Sequence, residues 1–379
     1  MNRRARTILT AATAVALSAA LAGPAVAAPP TSDHHATRQA VRAAVADGVP
    51  GVTVRVQQGH ATWAATAGVG NLKTGKPRSA HDHYRVASIS KTFVATVVLQ
   101  LEAEGRLSLD DTVEKWLPGV VRGNGHDGRQ VTLRQLLNHT SGIFDYLEDP
   151  GFQRTFMNPD GFMKHRFDEA EPEELLAYAL ANEPYFAPGS SFAYSNTNYL
   201  LAARVIEEAT GSDYGDEIDR RIIAPLHLTS TSVPTTRVTL PRPSSRAYSK
   251  LAETDTGPTY DVTELNARMA YGSGQMVSGS ADLNRFYSAL LRGRLLPPEQ
   301  LKEMKTTVET GRDTYRYGLG LVDRELGCGV HVWGHYGGIT GSESAAVTTE
   351  DGRHSLAVNF NGDWSGSTDA IIEAEFCGT

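Results

Sequence analysis

The 379-residue sequence predicts an α+β fold: an antiparallel sheet built from both chain ends and flanked by helices, with a large, mostly helical insertion. Three observations predict it. Near the start, Val52, Val54 and Val56 alternate with other residues at the period of a half-buried strand. Four strand-like segments, about 317–324, 329–335, 342–349 and 355–361, crowd the end of the chain. Between the two regions, Phe93, Val94, Val97, Val98 and Leu101 form a helical stripe, and helical patterns recur through the middle.

In chain order, Arg3, Arg4 and Arg6 precede an apolar stretch from Ile8 to Leu21, and Ala25-Val26-Ala27 offers a small-residue cleavage site. Residues 1–27 therefore read as a secretory signal peptide. The apolar run is short for a bilayer and Gly23-Pro24 interrupts it, so a secreted chain without a stable membrane anchor is expected. Residues 28–37 read as a flexible mature N-terminus. The strand from Gly51 pairs with a second one, about 61–68, across Gln58-Gly59-His60, and Lys73-Thr74-Gly75-Lys76-Pro77 is a turn. Residues 88–104 form a helix that Gly105 ends. Further helices are expected near 133–137, 173–181, 198–210, 281–291 and 367–376, and Asp351-Gly352 marks a hairpin turn. The roughly 350 residues beyond the signal suit a single catalytic domain over 28–379. Its α/β lobe takes about 38–105 and 281–379, and its helical lobe about 106–280.

A net charge of -7 gives no footing for nucleic acid or an anionic membrane, and 40% hydrophobic residues suffice for a real core. Two cysteines, Cys328 and Cys377, suggest one disulfide in an exported chain, with two free buried thiols as the alternative. A monomer is expected.

Three short constellations carry chemistry. Ser88-Ile89-Ser90-Lys91 opens the first helix, where residues three apart share a face, so the Lys91 amine can reach the Ser88 hydroxyl. A serine hydroxyl is a poor nucleophile until a neighbour takes its proton, and a helix N-terminus favours developing negative charge. Tyr194-Ser195-Asn196 follows Pro188-Gly189, and a tyrosine beside a lysine can serve as general base and acid. His335-Tyr336-Gly337-Gly338 ends a strand, where glycines let a substrate backbone lie along the edge and leave an N–H free for an oxyanion. Taken singly, each motif reads as well as an ordinary helix start, loop tyrosine or strand end.

Together, in this order and spacing, they resemble the serine β-lactamase and penicillin-binding D-alanyl-D-alanine carboxypeptidase superfamily, whose signatures include S-x-x-K, S-D-N and K-T-G. Ser88-x-x-Lys91 matches the first, Tyr194-x-Asn196 replaces the second and His335-x-Gly337 the third, the pattern of the class C branch and of secreted carboxypeptidases. Leu136-Leu137-Asn138-His139-Thr140-Ser141-Gly142, Phe186-Ala187-Pro188-Gly189, Tyr317-Gly318-Leu319-Gly320-Leu321 and the cysteine pair look like further landmarks. Lys73-Thr74-Gly75 spells the third motif literally, but it precedes the serine and reads as a turn.

The resemblance implies a β-lactamase/transpeptidase-like fold and an acyl-enzyme on Ser88, with Lys91, Tyr194 and His335 catalytic and no cofactor or metal. Asn196, Tyr336, Gly337 and Gly338 would bind substrate. The implied activity is that of a D-alanyl-D-alanine carboxypeptidase-like peptidase on peptidoglycan-type D-peptides, acylated by β-lactams. Small peptides or β-lactams would be its partners, with peptidoglycan as a source. D-Aminopeptidase, esterase and class C-like β-lactamase activities are alternatives on the same scaffold. A non-catalytic β-lactam binder is a further one, although no catalytic residue is missing.

Two departures lead to specific expectations. His335 stands where relatives carry lysine, and with an unperturbed pKa of about 6.5 it would act as a titrating cation toward carboxylate substrates. Carboxypeptidases of this type grip the terminal carboxylate with an arginine that aligns here with Val322. Arg324 lies on the same strand face, about 6.6 Å further on, and is the candidate replacement. Free-carboxylate D,D-peptides are therefore expected to be poorer substrates than amides or esters. A zinc hydrolase is disfavoured: His331 and His335, four apart on a strand, are separated by about 13 Å, and His81 and His83 have no third ligand of credible spacing. The absence of G-x-S-x-G argues against an α/β-hydrolase.

Overall fold

The computed structural model describes residues 33–252 and 256–378, and the expected signal peptide over 1–27 lies outside the described residues. Eight strands build one antiparallel sheet: β1 (Gly51–Gln58), β2 (Ala61–Gly68), β3 (Val308–Arg312), β4 (Tyr315–Tyr317), β5 (Val322–Glu325), β6 (His331–Ile339), β7 (Ser342–Thr349) and β8 (His354–Phe360). Their spatial order is β2-β1-β8-β7-β6-β5-β4-β3. The first two strands come from one end of the chain and the other six from the opposite end. Val52, Val54 and Val56 of β1 stand opposite Phe360, Val358 and Leu356 of β8, which locks the register by their burial.

Five helices frame the sheet: α1 (His35–Ala46), α2 (Ser90–Ala103), α3 (Asn196–Thr210), α4 (Ser280–Leu291) and α5 (Thr368–Cys377). One sheet face packs Val52, Val347, Leu356 and Val358 against Val41 and Ala44 of α1 and Ile371 and Ile372 of α5. The opposite face, with Ala346 and Ala357, joins the larger core of α2, α3 and α4. The two-residue period of the strands thus feeds two separate cores. Most of the side chains of α2 are buried, so it is a central helix with no solvent face along most of its length. The described residues from His34 onward form one compact unit. The Cys328 and Cys377 sulfurs are 2.00 Å apart, tying the β5–β6 turn to the end of α5.

Three details differ from the sequence reading. Residues 35–37, expected to be flexible, begin α1, whose Thr37, Val41 and Ala44 face inward. The expected strand over 317–324 is two strands, β4 and β5, joined by a turn in which Gly318 N–H donates to Leu321 O at 2.7 Å. Gly320 takes φ +70°, and a Cβ there would sit 2.6 Å from Ala95 of α2. Finally, β6 does not stop at His335: it continues to Ile339, so Tyr336, Gly337 and Gly338 are inside a strand.

Candidate active site

Ser88 occupies a one-turn 3-10 segment, Ala87–Ile89, that feeds directly into α2. Ala87 takes φ +48°, a left-handed conformation that costs a non-glycine residue on the order of 1–3 kcal/mol. The turn is held by Ser90, whose Oγ donates to Ala87 O at 2.7 Å and accepts from Met276 N–H at 3.2 Å. This sharp entry aims Ser88 into a cleft of about 530 Å³, also lined by Tyr194, Tyr317, Val322, His335 and Gly337.

Lys91, one helical turn on, is fully buried. Its Nζ lies 2.9 Å from Ser88 Oγ, 2.7 Å from Asn196 Oδ1 and 2.8 Å from Ser273 O. Burial lowers its pKa to about 7, opposed by the negative charge of Asp145. Near neutral pH the amine is therefore available in its basic form against the serine hydroxyl. The Tyr194 ring stands 4.8 Å from the Lys91 ammonium, and its phenol is hydrogen-bonded to Ser88. Burial raises the Tyr194 pKa, which keeps the phenol protonated as a donor. Ser88 and Lys91 are thus brought together as their spacing predicts, and Tyr194 joins them as the resemblance implies.

Asn196, expected to bind substrate, also ties Lys91 to a buried acid. It begins α3, and while its Oδ1 accepts from Lys91, its Nδ2 donates to Asp145 Oδ2 at 2.8 Å. Each end of the amide thus has a protein partner, and the second Nδ2 hydrogen is engaged by neither bond. Asp145, a residue the sequence reading did not single out, is almost fully buried, and burial raises its pKa. Its only signal is position, three residues after the His139-Thr140-Ser141-Gly142 landmark.

His335 corrects an expectation. Its Nδ1 is 2.6 Å from Tyr336 O and must donate there, so Nε2 accepts from the Tyr317 hydroxyl at 2.9 Å. Tyr317 in turn meets His139 Nε2 at 3.3 Å, and His139 Nδ1 accepts from the Ser195 N–H at 3.2 Å. This chain uses both histidines as neutral rings. Burial, followed by the nearby Lys91 charge, lowers the His335 pKa to about 3. It is not a cation in the neutral range, because burial and the adjacent Lys91 both disfavour its charged form.

The third motif lies against the nucleophile. A Cβ on Gly337 would fall 2.1 Å from Val86 O and 3.0 Å from Ser88 N, so only glycine allows β6 to pass here. β5 pairs with β6 only from His331 to Gly334, whereas β7 pairs with it from Val332 to Ile339. Among the described residues, then, 335–339 keep a strand edge open on the cleft side, ready to pair with an extended substrate. The literal Lys73-Thr74-Gly75 is an exposed turn, with Asn71 Oδ1 accepting from Lys73 and Thr74 N–H.

At the leaving side of the cleft, Val322 is in the wall but Arg324 is not. Its guanidinium is drawn to Asp369 and lies 3.6 Å from Glu373, both on α5, and 3.1 Å from the Tyr336 hydroxyl. The expectation that Arg324 replaces a carboxylate clamp fails, because two acids on α5 compete for it. The guanidinium that does line the cleft is Arg312, on the exposed end of β3, a strand the sequence reading missed. Glu343 lines it at the opposite end and was also not anticipated.

Comparison with known proteins follows the same geometry. The Beta-lactamase family model matches residues 37–374. The fold superposes on a D-stereospecific amidohydrolase from Streptomyces sp. with a TM-score of 0.87 and 56% identity, covering 92% of this chain and 99% of that one. It superposes on the D-amino acid amidase of Ochrobactrum anthropi SV3 with a TM-score of 0.77 and 28% identity, covering 90% of this chain and 98% of that one. Penicillin-binding protein 4* of Bacillus subtilis is 29% identical over 314 residues, 81% of this chain and 66% of the relative, so the chain spans just under two thirds of that protein's length.

Proposed function

We propose that this chain, which belongs to the Beta-lactamase family of serine hydrolases, hydrolyses amides and esters at the carboxyl group of D-amino acids. Ser88 Oγ attacks the substrate carbonyl while Lys91 takes the serine proton, and the oxyanion forms beside the Ser88 backbone N–H and the open edge of β6. Tyr194 passes a proton to the departing amine or alcohol as the carbon–nitrogen or carbon–oxygen bond breaks. Water then attacks the acyl-enzyme by the same route, releasing the D-amino acid and restoring Ser88.

The observation that carries the substrate class is the leaving-side wall. Val322, Tyr315 and Tyr317 line it, while Arg324 is paired with Asp369 and Arg312 sits at the exposed rim. Such a wall suits a neutral leaving group better than a terminal carboxylate, which needs a fixed, bidentate cation. The likeness to the Streptomyces amidohydrolase points the same way. D-Alanyl-D-alanine carboxypeptidase activity with acylation by penicillin is the second reading, favoured by the likeness to Penicillin-binding protein 4*.

Hydrolysis rates for D- and L-phenylalanine amide, and for acyl-D-Ala-D-Ala and its C-terminal amide, separate the two. The expected result is a preference for the D-amide by about 100-fold and for the terminal amide over the free acid by about tenfold. Faster cleavage of the free acid would establish the second reading instead. The same proposal places the working enzyme outside the cell after loss of residues 1–27, and N-terminal sequencing of secreted material checks it.

A further inference from the structure

The cleft is electrically asymmetric. Gly337 marks the point where β6 faces the nucleophile. In one direction lie His335 and the Val322 wall, with Arg312 at the rim. In the other direction lies Gly338, and directly across from it on β7 stands Glu343. The carboxylate folds over that glycine, so that a Cβ on Gly338 would be 2.7 Å from Glu343 Oε1. Glu343 therefore borders both the cleft that holds Ser88 and the adjoining hollow that holds Asp363.

Its surroundings do not satisfy it. Burial and the neighbouring Asp363 push the Glu343 pKa up to about 7, and no side-chain hydrogen bond counters them. Asp363 is itself occupied, accepting from Gly341 N–H at 2.8 Å. A half-buried carboxylate without a donor, beside a second carboxyl group, is costly to keep charged. Along the wall of a substrate cleft, the donor that relieves it is carried by what enters.

The position fits one such donor. With the scissile carbon at Ser88 Oγ beside Gly337, the α-nitrogen of an aminoacyl group is two bonds away. That places it within about 3.3 Å, one residue rise, toward Gly338 when the leaving group takes the Val322 side. We infer that Glu343 binds the free α-ammonium group of the substrate's acyl half, so that the enzyme selects unblocked D-amino acid amides, esters and peptides over N-acylated ones. This rests on the D-amino-acid reading given above and adds to it which end of the substrate is recognised.

The test compares wild type with Glu343→Gln in two assays. In the first, kcat/KM is measured for D-phenylalanine amide and for its N-acetyl derivative. Wild type should favour the free amine, and E343Q should reduce that ratio by about 10–100-fold, chiefly through KM, the scale expected for losing a charged hydrogen bond. In the second, hydrolysis of p-nitrophenyl acetate reports on Ser88 while D-phenylalaninol and N-acetyl-D-phenylalaninol compete. The free amine should inhibit wild type the more strongly, and E343Q should erase the difference; its residual ester hydrolysis shows that the variant is folded. An unchanged ratio in the first assay, or equal inhibition by both alcohols in wild type, overturns the ammonium site. If wild type hydrolyses neither D-amide yet the inhibition difference is present and lost in E343Q, the ammonium site stands and the D-amidase reading falls.

Discussion

The inner wall of the cleft and the strand β5 that runs on past its outer wall both hold charged side chains away from water, and they treat them in opposite ways. On the inner wall, Lys91 has one carboxylate nearby, Asp145, and meets it only through Asn196. Burial wins there, and the Lys91 pKa falls to about 7. Behind the outer wall, Arg324 has Tyr336, Asp369 and Glu373 around it; burial would lower its pKa, but Tyr336, Asp369 and Tyr315 together outweigh it and raise the value. A cation held one step away from its counter-charge becomes a usable base, whereas one surrounded by partners becomes a structural tie. The same rule explains His335: burial and the neighbouring Lys91 charge disfavour the charged ring, and the one group that favours it, the Tyr336 carbonyl, is too weak to offset them.

The comparison is broken most severely at the nucleophile. Ser88→Ala should lower kcat by roughly 10³-fold or more, measured with a chromogenic ester, since it removes the bond-forming atom. Labelling of another residue by an acylating inhibitor would relocate the inner wall's chemistry. Gly337→Ala comes next. Its methyl would collide with Val86 O and press on the Ser88 backbone. A loss of about 100-fold in kcat/KM with a folded far-UV spectrum is expected, the scale of a misplaced reacting group. Retention of full activity would show that β6 need not pass so close.

Asp145→Asn sharpens the contrast in electrostatics. Wild-type kcat/KM should rise with pH through about 7, as Lys91 loses its proton and becomes a base. Asp145 raises the Lys91 pKa, so removing its charge should move that acid limb to lower pH, by roughly one unit, while its amide keeps a group for Asn196. A limb that stays in place would separate Asp145 from the proton transfer. No limb near 6.5 should be traceable to His335, which stays neutral down to about 3. The smallest effect is expected behind the outer wall: Arg324→Ala should alter kcat/KM by less than about threefold, because the side chain serves α5 and not the substrate. A tenfold or greater loss confined to free-carboxylate substrates would return Arg324 to the role of clamp.

Much of this protein follows from local pattern. The two-residue period of Val52, Val54 and Val56, the helical stripe after Ser88 and the spacing of Ser88 and Lys91 each depend on residues close in the chain, and each has its expected place in the fold. The order of the three motifs also sufficed to separate the third motif that lies beside Ser88, at His335, from the exposed turn at Lys73-Thr74-Gly75. Both chain ends contribute strands to one sheet, as their shared periodicity implies.

Protonation and partner choice were decided only in three dimensions. Whether His335 is charged depends on Tyr317, His139 and Lys91, which approach it from three other elements. Whether Arg324 reaches the cleft depends on Asp369 and Glu373, which α5 brings across from the end of the chain. Glycine pairs look like strand ends in a sequence, and only the pairing with β7 shows that β6 continues through Gly337 and Gly338. The physical reason is common to all three. A side chain's type and its near neighbours set what it is able to do, but its pKa and its hydrogen bonds are set by burial and by charges within a few ångströms, and folding alone assembles those.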